Sequence, residues 1–275
     1  RRKPGQSKYT TARQESDRAE ILSGVLEGRT TGTPISLMVR NMDQRSRDYG
    51  QIKDCFRPGH ADYTFHEKYG FRDYRGGGRT SGRETIGRVA AGAVASLLLE
   101  NLGIHITAYT KSIGSIVIPN ESYRYEEIYE NPLYMPNNAY ARDAALYLEE
   151  CIKSQDSSGG VIECIIEGMP AGVGEPVFRK LDACLAQAVM SVGAVKGVEI
   201  GDGFRAAQAK GSENNDAFVS HEGKIEKKTN HAGGILGGMS DGATILLRAH
   251  IKPTPSIFRR QETVNQAGEN IALEI

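Results

Sequence analysis

Apolar residues recur along this chain with two periods, and the switches between them outline its elements. Ile86, Val89, Ala90, Ala93, Val94, Leu97 and Leu98 fall three or four apart and predict a helix over Arg83–Leu102 with one continuous apolar face. Ser81 and Glu84 form an S-x-x-E capping box at its start, and Gly103 follows its end. A second helix is predicted over Val177–Val192 and a third over Ala141–Lys153. Strands are expected at Ile104–Thr110, Ser115–Ile118, Val161–Glu167, Val195–Ile200 and Ala243–Ile251. In the last of these, Ala243, Ile245, Leu247, Ala249 and Ile251 alternate with Thr244, Leu246, Arg248 and His250. Near the start, Ile21–Leu26 and Pro34–Val39 flank a Gly28-to-Gly32 turn and read as a hairpin. Strands joined by short turns, interrupted by a few long helices, predict an α+β fold: a layered β-α-β sandwich with antiparallel sheets and long core helices.

The chain has 275 residues, enough to bury a sizeable core, and no Pro/Ser/Gly-rich linker divides it, so a single domain over 1–275 is expected. Hydrophobic residues make up 39% and charged residues 25%, values that exclude wholesale disorder. The longest apolar run, Val89–Leu99, carries Gly92 and Ser96 and falls short of the roughly 20 residues a membrane helix needs. Arg1-Arg2-Lys3-Pro4 leads into no apolar stretch, so no signal peptide is read there. The four cysteines lack C-x-x-C spacing, which argues against a zinc site and for reduced thiols in a cytoplasmic protein.

Net charge is zero but unevenly spread. Residues 1–18 carry a balance of +4 and residues 57–88 a balance of +3, so the remainder carries −7. Two short basic segments in a neutral protein suit one positive pocket better than the broad positive face that nucleic acid favours. They also read as solvated surface stretches.

The second basic segment holds the strongest candidate chemistry. Arg57-Pro58-Gly59-His60-Ala61-Asp62 leads into Gly76-Gly77-Gly78-Arg79-Thr80-Ser81-Gly82-Arg83. Glycines before a helix N-terminus expose backbone N–H groups to an anion, and the helix dipole favours negative charge there. Guanidinium forks grip phosphate and carboxylate bidentately. No Walker A sequence occurs, and on pattern alone the glycine run also reads as a linker. His60 is a candidate acid or base near neutral pH. A second glycine cluster, 230–238, permits close approach of a flat ligand, or forms a compact turn. Lys252-Pro253-Thr254-Pro255-Ser256 ends a strand with a rigid, hydroxyl-bearing corner beside a cation.

Seven motifs, in order, resemble the chorismate synthase family across essentially the whole chain. They are R-P-G-H-A-D (57–62), G-G-G-R-T-S-G-R-E-T (76–85), R-V-A-A-G-A (88–93), G-M-P-A-G-V-G-E-P-V-F (168–178), G-V-E-I-G-D-G-F (197–204), N-H-A-G-G-I-L-G-G (230–238) and K-P-T-P-S-I (252–257). The resemblance implies a homotetrameric lyase that converts 5-enolpyruvylshikimate-3-phosphate to chorismate and phosphate by anti-1,4-elimination. It also implies reduced FMN, which lends electron density while phosphate departs and helps remove the ring proton through N5.

Carried over motif by motif, Arg2, Lys8, Arg57 and Arg83 would hold substrate anions. Arg79, Thr80, Ser81, Gly193, Ala194, Gly237 and the run Lys252, Pro253, Thr254, Pro255, Ser256 would surround the flavin. His60 would manage the charge of the reduced ring. Thr80 and Gly82 stand where the family more usually has serine and alanine, and Gly193 where asparagine is common. Two further catalytic segments of the family, G-E-S-H-G with a second histidine and R-H-D-P with an arginine and an aspartate, are expected beyond Arg1 and Ile275 respectively.

Overall fold

A computed structural model describes residues 4–10, 16–41, 52–74 and 82–274. Contacts group the chain into two compact units: 1–95 with 151–157 and 255–275, and 96–150 with 158–254.

In the first unit, β1 (Ala19–Ser23) pairs antiparallel with β4 (Ser36–Val39). Between them β2 (Val25–Leu26) and β3 (Arg29–Thr30) form a small nested hairpin. The expected hairpin is therefore present, with an inner turn inserted at its tip. Helix α1 (Asp62–Tyr69) follows the R-P-G-H-A motif. Asp62 places negative charge in its first turn, and Gly70 ends it in a left-handed conformation (φ 74°) with its N–H on the His66 carbonyl. Near the end of the chain, β14 (Gln261–Val264) and β15 (Asn270–Leu273) make a hairpin. The Phe56 N–H bonds the Val264 carbonyl, and Cys55 bridges Asn265, so the hairpin clamps the approach to α1. Ile52, Cys55 and Leu273 form the buried core there.

Helix α2 (Thr85–Asn101) lies within the predicted range. Its expected apolar face is only partly covered: Ile86, Ala90, Val94 and Leu99 are half-buried, whereas Leu97 and Leu98 are more than 60% exposed. Periodicity identified the helix, but the buried stripe is narrower than the apolar one.

The second unit is built on one antiparallel sheet of β5 (His105–Ile113), β6 (Ile116–Val117), β7 (Gly160–Glu167), β8 (Val195–Ile200) and β13 (Ile245–Ile251), in the order β6-β5-β7-β13-β8. Between these strands come α3 (Asn138–Lys153), α4 (Leu181–Met190) and a short α5 (Gly211–Asn214). The hairpins β9 (Phe218–His221)/β10 (Lys224–Lys227) and β11 (Ile235–Leu236)/β12 (Met239–Ser240) complete it. Ile166, Ile245 and Leu247 on one sheet face cluster with Ile104 and Ile235, and Leu181, Leu185 and Val189 of α4 pack against them. The helix predicted from Val177 begins only at Leu181, because Glu175 and Arg179 bond each other across a tight loop that leaves Val177 and Phe178 exposed. All five predicted strands are found, and among the described residues every sheet is antiparallel, as the α+β reading required.

The opposite face of this sheet is polar in its buried middle. Tyr109, Glu163, Arg248 and Glu199 lie side by side across four strands. Glu163 is 1% exposed and accepts from the Tyr109 and Tyr123 hydroxyls at 2.7 Å each and from Arg248 Nε at 2.5 Å. Lys111 donates to the Tyr123 hydroxyl and stands 3.8 Å from Glu163. Burial alone would raise the Glu163 pKa; the two hydroxyls and two cations outweigh it and hold the carboxyl below its usual range.

Candidate functional site

The sequence places Arg57 and His60 on the turn entering α1, and the structure brings them together on one carboxylate. Arg57 grips Asp62 through Nε (2.7 Å to Oδ2) and Nη2 (3.0 Å to Oδ1). His60 Nδ1 lies 2.9 Å from Asp62 Oδ1 and 3.0 Å from Arg57 Nη2. Among the described residues the ring is thus held through Nδ1, and Nε2 is the nitrogen that can exchange a proton. Arg72 completes the cluster: its Nη1 is 3.2 Å from Asp62 Oδ1, and its Nη2 donates to the carbonyls of Ile52, Lys53 and Cys55. Burial opposes ionisation of Asp62, but hydrogen bonds from Arg57 and His60 win and hold its carboxyl well below the carboxylate range. Two guanidiniums and a histidine around a single carboxylate leave the cluster net positive, as an anion site requires.

Asp62 and Arg72 were not singled out as functional positions by the sequence reading. Asp62 stands two places after His60 inside the same motif, which was the available signal. Arg72 gave none, because its partners are backbone carbonyls some twenty residues upstream.

Arg83 puts Nη1 and Nη2 on Asp17 at 3.1 and 2.7 Å. Lys8 is exposed, its ammonium 5.2 Å from the Tyr9 ring. Arg2, Arg79, Thr80 and Ser81 lie outside the described residues.

Two of the expected cofactor segments meet. The Lys252 N–H donates to the Ala194 carbonyl at 2.9 Å, which sets the Gly193–Ala194 turn beside the corner where β13 ends. Ala194 has φ 70°, and a Cβ on Gly193 would meet nothing within 4 Å, so the turn presents open backbone. Pro253, with no N–H, cannot extend the ladder, and the chain leaves the sheet carrying Thr254, Pro255 and Ser256. Lys252 and Thr254 bring a cation and a hydroxyl to this corner, group types that suit a phosphate monoester.

The 230–238 cluster divides into two functions. A Cβ at Gly233 would stand 2.3 Å from the Gly201 nitrogen, and one at Gly234 would stand 2.7 Å from the Thr244 carbonyl oxygen. These glycines serve close packing of protein backbone, so the compact-turn reading holds for them. Gly237 is different: φ is 60° and the nearest atom to its Cβ position is the Met239 methyl at 4.0 Å, in the β11–β12 turn. Asp216 holds the preceding loop by accepting from the His231 and Ala232 N–H groups and from Thr229, while buried Lys227 bridges Asp216 and Asp241. Among the described residues no helix is long and apolar enough to cross a membrane.

A family model described as chorismate synthase matches residues 1–275. A chorismate synthase of Agathobacter rectalis is 61% identical over 275 residues, covering all of this chain and 75% of its own length. One from Methanococcoides burtonii is 55% identical over 269 residues, covering 96% and 73%. A crystal structure of chorismate synthase superposes with a TM-score of 0.75 at 36% identity, over 86% of this chain and 71% of that one.

Proposed function

The chain belongs to the chorismate synthase family, a lyase of the shikimate pathway serving aromatic amino acid biosynthesis, and from that premise we propose that it eliminates phosphate from 5-enolpyruvylshikimate-3-phosphate with reduced FMN. The observation that carries the flavin half of this reading is the hydrogen bond joining Lys252 to Ala194, which unites two segments with the donors a flavin phosphate needs. Gly193, Ala194, Gly237 and the run from Lys252 to Ser256 hold the cofactor in this reading, together with Arg79, Thr80 and Ser81. When bound, reduced flavin supplies electron density to the breaking C–O bond and recovers it, so the reaction has no net redox change.

The chain's own groups supply binding and proton control. Arg57, Arg83, Lys8 and Arg2 meet a substrate with a phosphate and two carboxylates, whose charge no single cation can balance. Arg57 is preorganised by Asp62, so little side-chain entropy remains to be lost on binding. His60 holds or releases a proton at Nε2 while Asp62, accepting from Nδ1–H, fixes the ring. The reading extends to one catalytic domain over 1–275 in a cytoplasmic homotetramer.

The deciding experiment is an anaerobic titration of the full-length polypeptide with reduced FMN, with and without substrate, followed by a chorismate assay. Tight binding that strengthens with substrate, and turnover, are expected. No flavin binding overturns the reading.

A further inference from the structure

Four backbone segments line up where the central sheet of the second unit ends. Register carries β5, β7, β13 and β8 to Gly114, Gly159, Lys252 and Ala194, one residue beyond the paired positions Ile113–Gly160, Gly160–Ile251 and Ile251–Val195. Hydrogen bonds of 2.9 Å close the outer two steps of this row, from Gly114 N–H to the Gly159 carbonyl and from Lys252 N–H to the Ala194 carbonyl. The middle step is closed by contact. A Cβ at Gly159 would sit 2.6 Å from the Ile251 carbonyl oxygen and 3.2 Å from Pro253 Cδ.

Gly159 does not have the left-handed backbone that reserves a position for glycine, so conformation alone would admit other residues. Space excludes them. The strain of an added methyl falls on the atoms it meets, the Ile251 carbonyl oxygen and Pro253 on either side of Lys252. Retreat toward β5 is blocked, because Gly159 is tied to Gly114, and Gly114 lies so close to the Tyr147 ring of α3 that its own Cβ would stand 2.4 Å from a ring carbon. Packed interiors pass such displacement on rather than absorb it. Here it is passed to the Lys252–Pro253 corner.

We propose that Gly159 is a positioning residue for the flavin site: its missing side chain lets the Lys252–Thr254 corner seat against β7 at the depth where it shares a hydrogen bond with the Gly193–Ala194 turn. The inference rests on the assignment of these two segments to FMN. Gly159 touches neither substrate nor cofactor in it, and acts only by setting where the corner lies.

The test is the affinity of the full-length polypeptide for reduced FMN, by anaerobic absorbance titration, in Gly159→Ala beside the unaltered protein. A loss of tenfold or more is expected, with far-UV circular dichroism preserved. Gly197→Ala is the control in the same sheet, since its Cβ would meet only the His250 side chain at an ordinary 3.6 Å, and its affinity should stay within twofold. Tyr147→Ala supplies the second arm. With the ring behind Gly114 removed, Gly159 can retreat, so adding Gly159→Ala to Tyr147→Ala should cost less than a third of what it costs alone. Unaltered protein that binds no FMN overturns the assignment and the inference with it. If that protein binds, the inference alone is overturned by a Gly159→Ala variant within twofold of it, by additive costs in the pair of variants, or by a Gly159→Ala variant that does not fold, which would place Gly159 in the fold rather than at the corner.

Discussion

Arg83 holds the carboxylate of Asp17 with both terminal nitrogens, at 3.1 and 2.7 Å, across 66 residues of sequence. An arginine expected to meet substrate is therefore already engaged by a protein carboxylate, and a substrate anion at Arg83 would compete with Asp17 for the end of the guanidinium fork. Asp17→Asn keeps the shape and removes the charge. Its KM for 5-enolpyruvylshikimate-3-phosphate should fall several-fold with kcat little changed, since uniform binding is what changes. A raised KM would instead make Asp17 the residue that holds Arg83 ready.

His60→Ala should leave the fold intact and slow turnover by roughly one to three powers of ten, the usual loss for a positioned acid–base group. Single-turnover kinetics with saturating reduced FMN checks this. An unchanged rate would place His60 among the structural residues.

Asp62 should make stability depend on acid. Its folded pKa lies below the unfolded value of about 3.9, so the stabilisation is complete above that value and is lost as pH falls through it toward the folded pKa. Asp62→Asn removes the titration and leaves Arg57 and Arg72 without a counter-charge, a change worth about 3–5 kcal/mol at neutral pH. Urea unfolding at pH 7 and at pH 3 should show a large gap between the two proteins at pH 7 and a smaller one at pH 3. A gap independent of pH would contradict the assignment.

The two glycines of the β11–β12 turn should respond unequally. Both have positive φ, so alanine at either costs about 1–2 kcal/mol of backbone strain. Gly237→Ala meets open space, whereas the methyl of Gly238→Ala would lie 2.5–2.7 Å from Lys180 Cβ, Cγ and Cδ, next to the start of α4. Thermal unfolding should therefore rank Gly238→Ala clearly below Gly237→Ala, and flavin titration should show the larger affinity loss per degree of Tm for Gly237→Ala.

The sheet was legible because β7 and β13 are largely apolar runs bounded by turn residues, and local pattern reports such strands well. Helix α1 was not. Its eight residues, DYTFHEKY, have no apolar period, and only Gly70 behind them carried a stop signal. The polar row across the sheet escaped for a related reason: Glu163 sits in V-I-E-C-I-I and Arg248 in L-L-R-A-H, and only the three-dimensional register shows that they oppose each other. Of the candidate site, motif resemblance supplied Arg57, His60, Ala194 and Lys252. Asp62 and Arg72 needed geometry, because their role is defined by which atoms they touch. Leu97 and Leu98 show the converse, apolar residues in period that are left exposed.

The Glu163–Arg248 pair also bears on how the chain finds its sheet. The two residues are direct partners in the β7–β13 ladder, each inside a strand rich in aliphatic residues. Such strands could hydrogen-bond equally well after sliding, since backbone groups carry no address. Slipping by one residue would turn the carboxylate and the guanidinium to opposite faces, and slipping by two would set Arg248 against Val161 or Ile165, so that the buried guanidinium loses its carboxylate partner at several kcal/mol. The pair therefore acts as a key: the native alignment of β7 on β13 is the one that sets the two charges directly opposite each other.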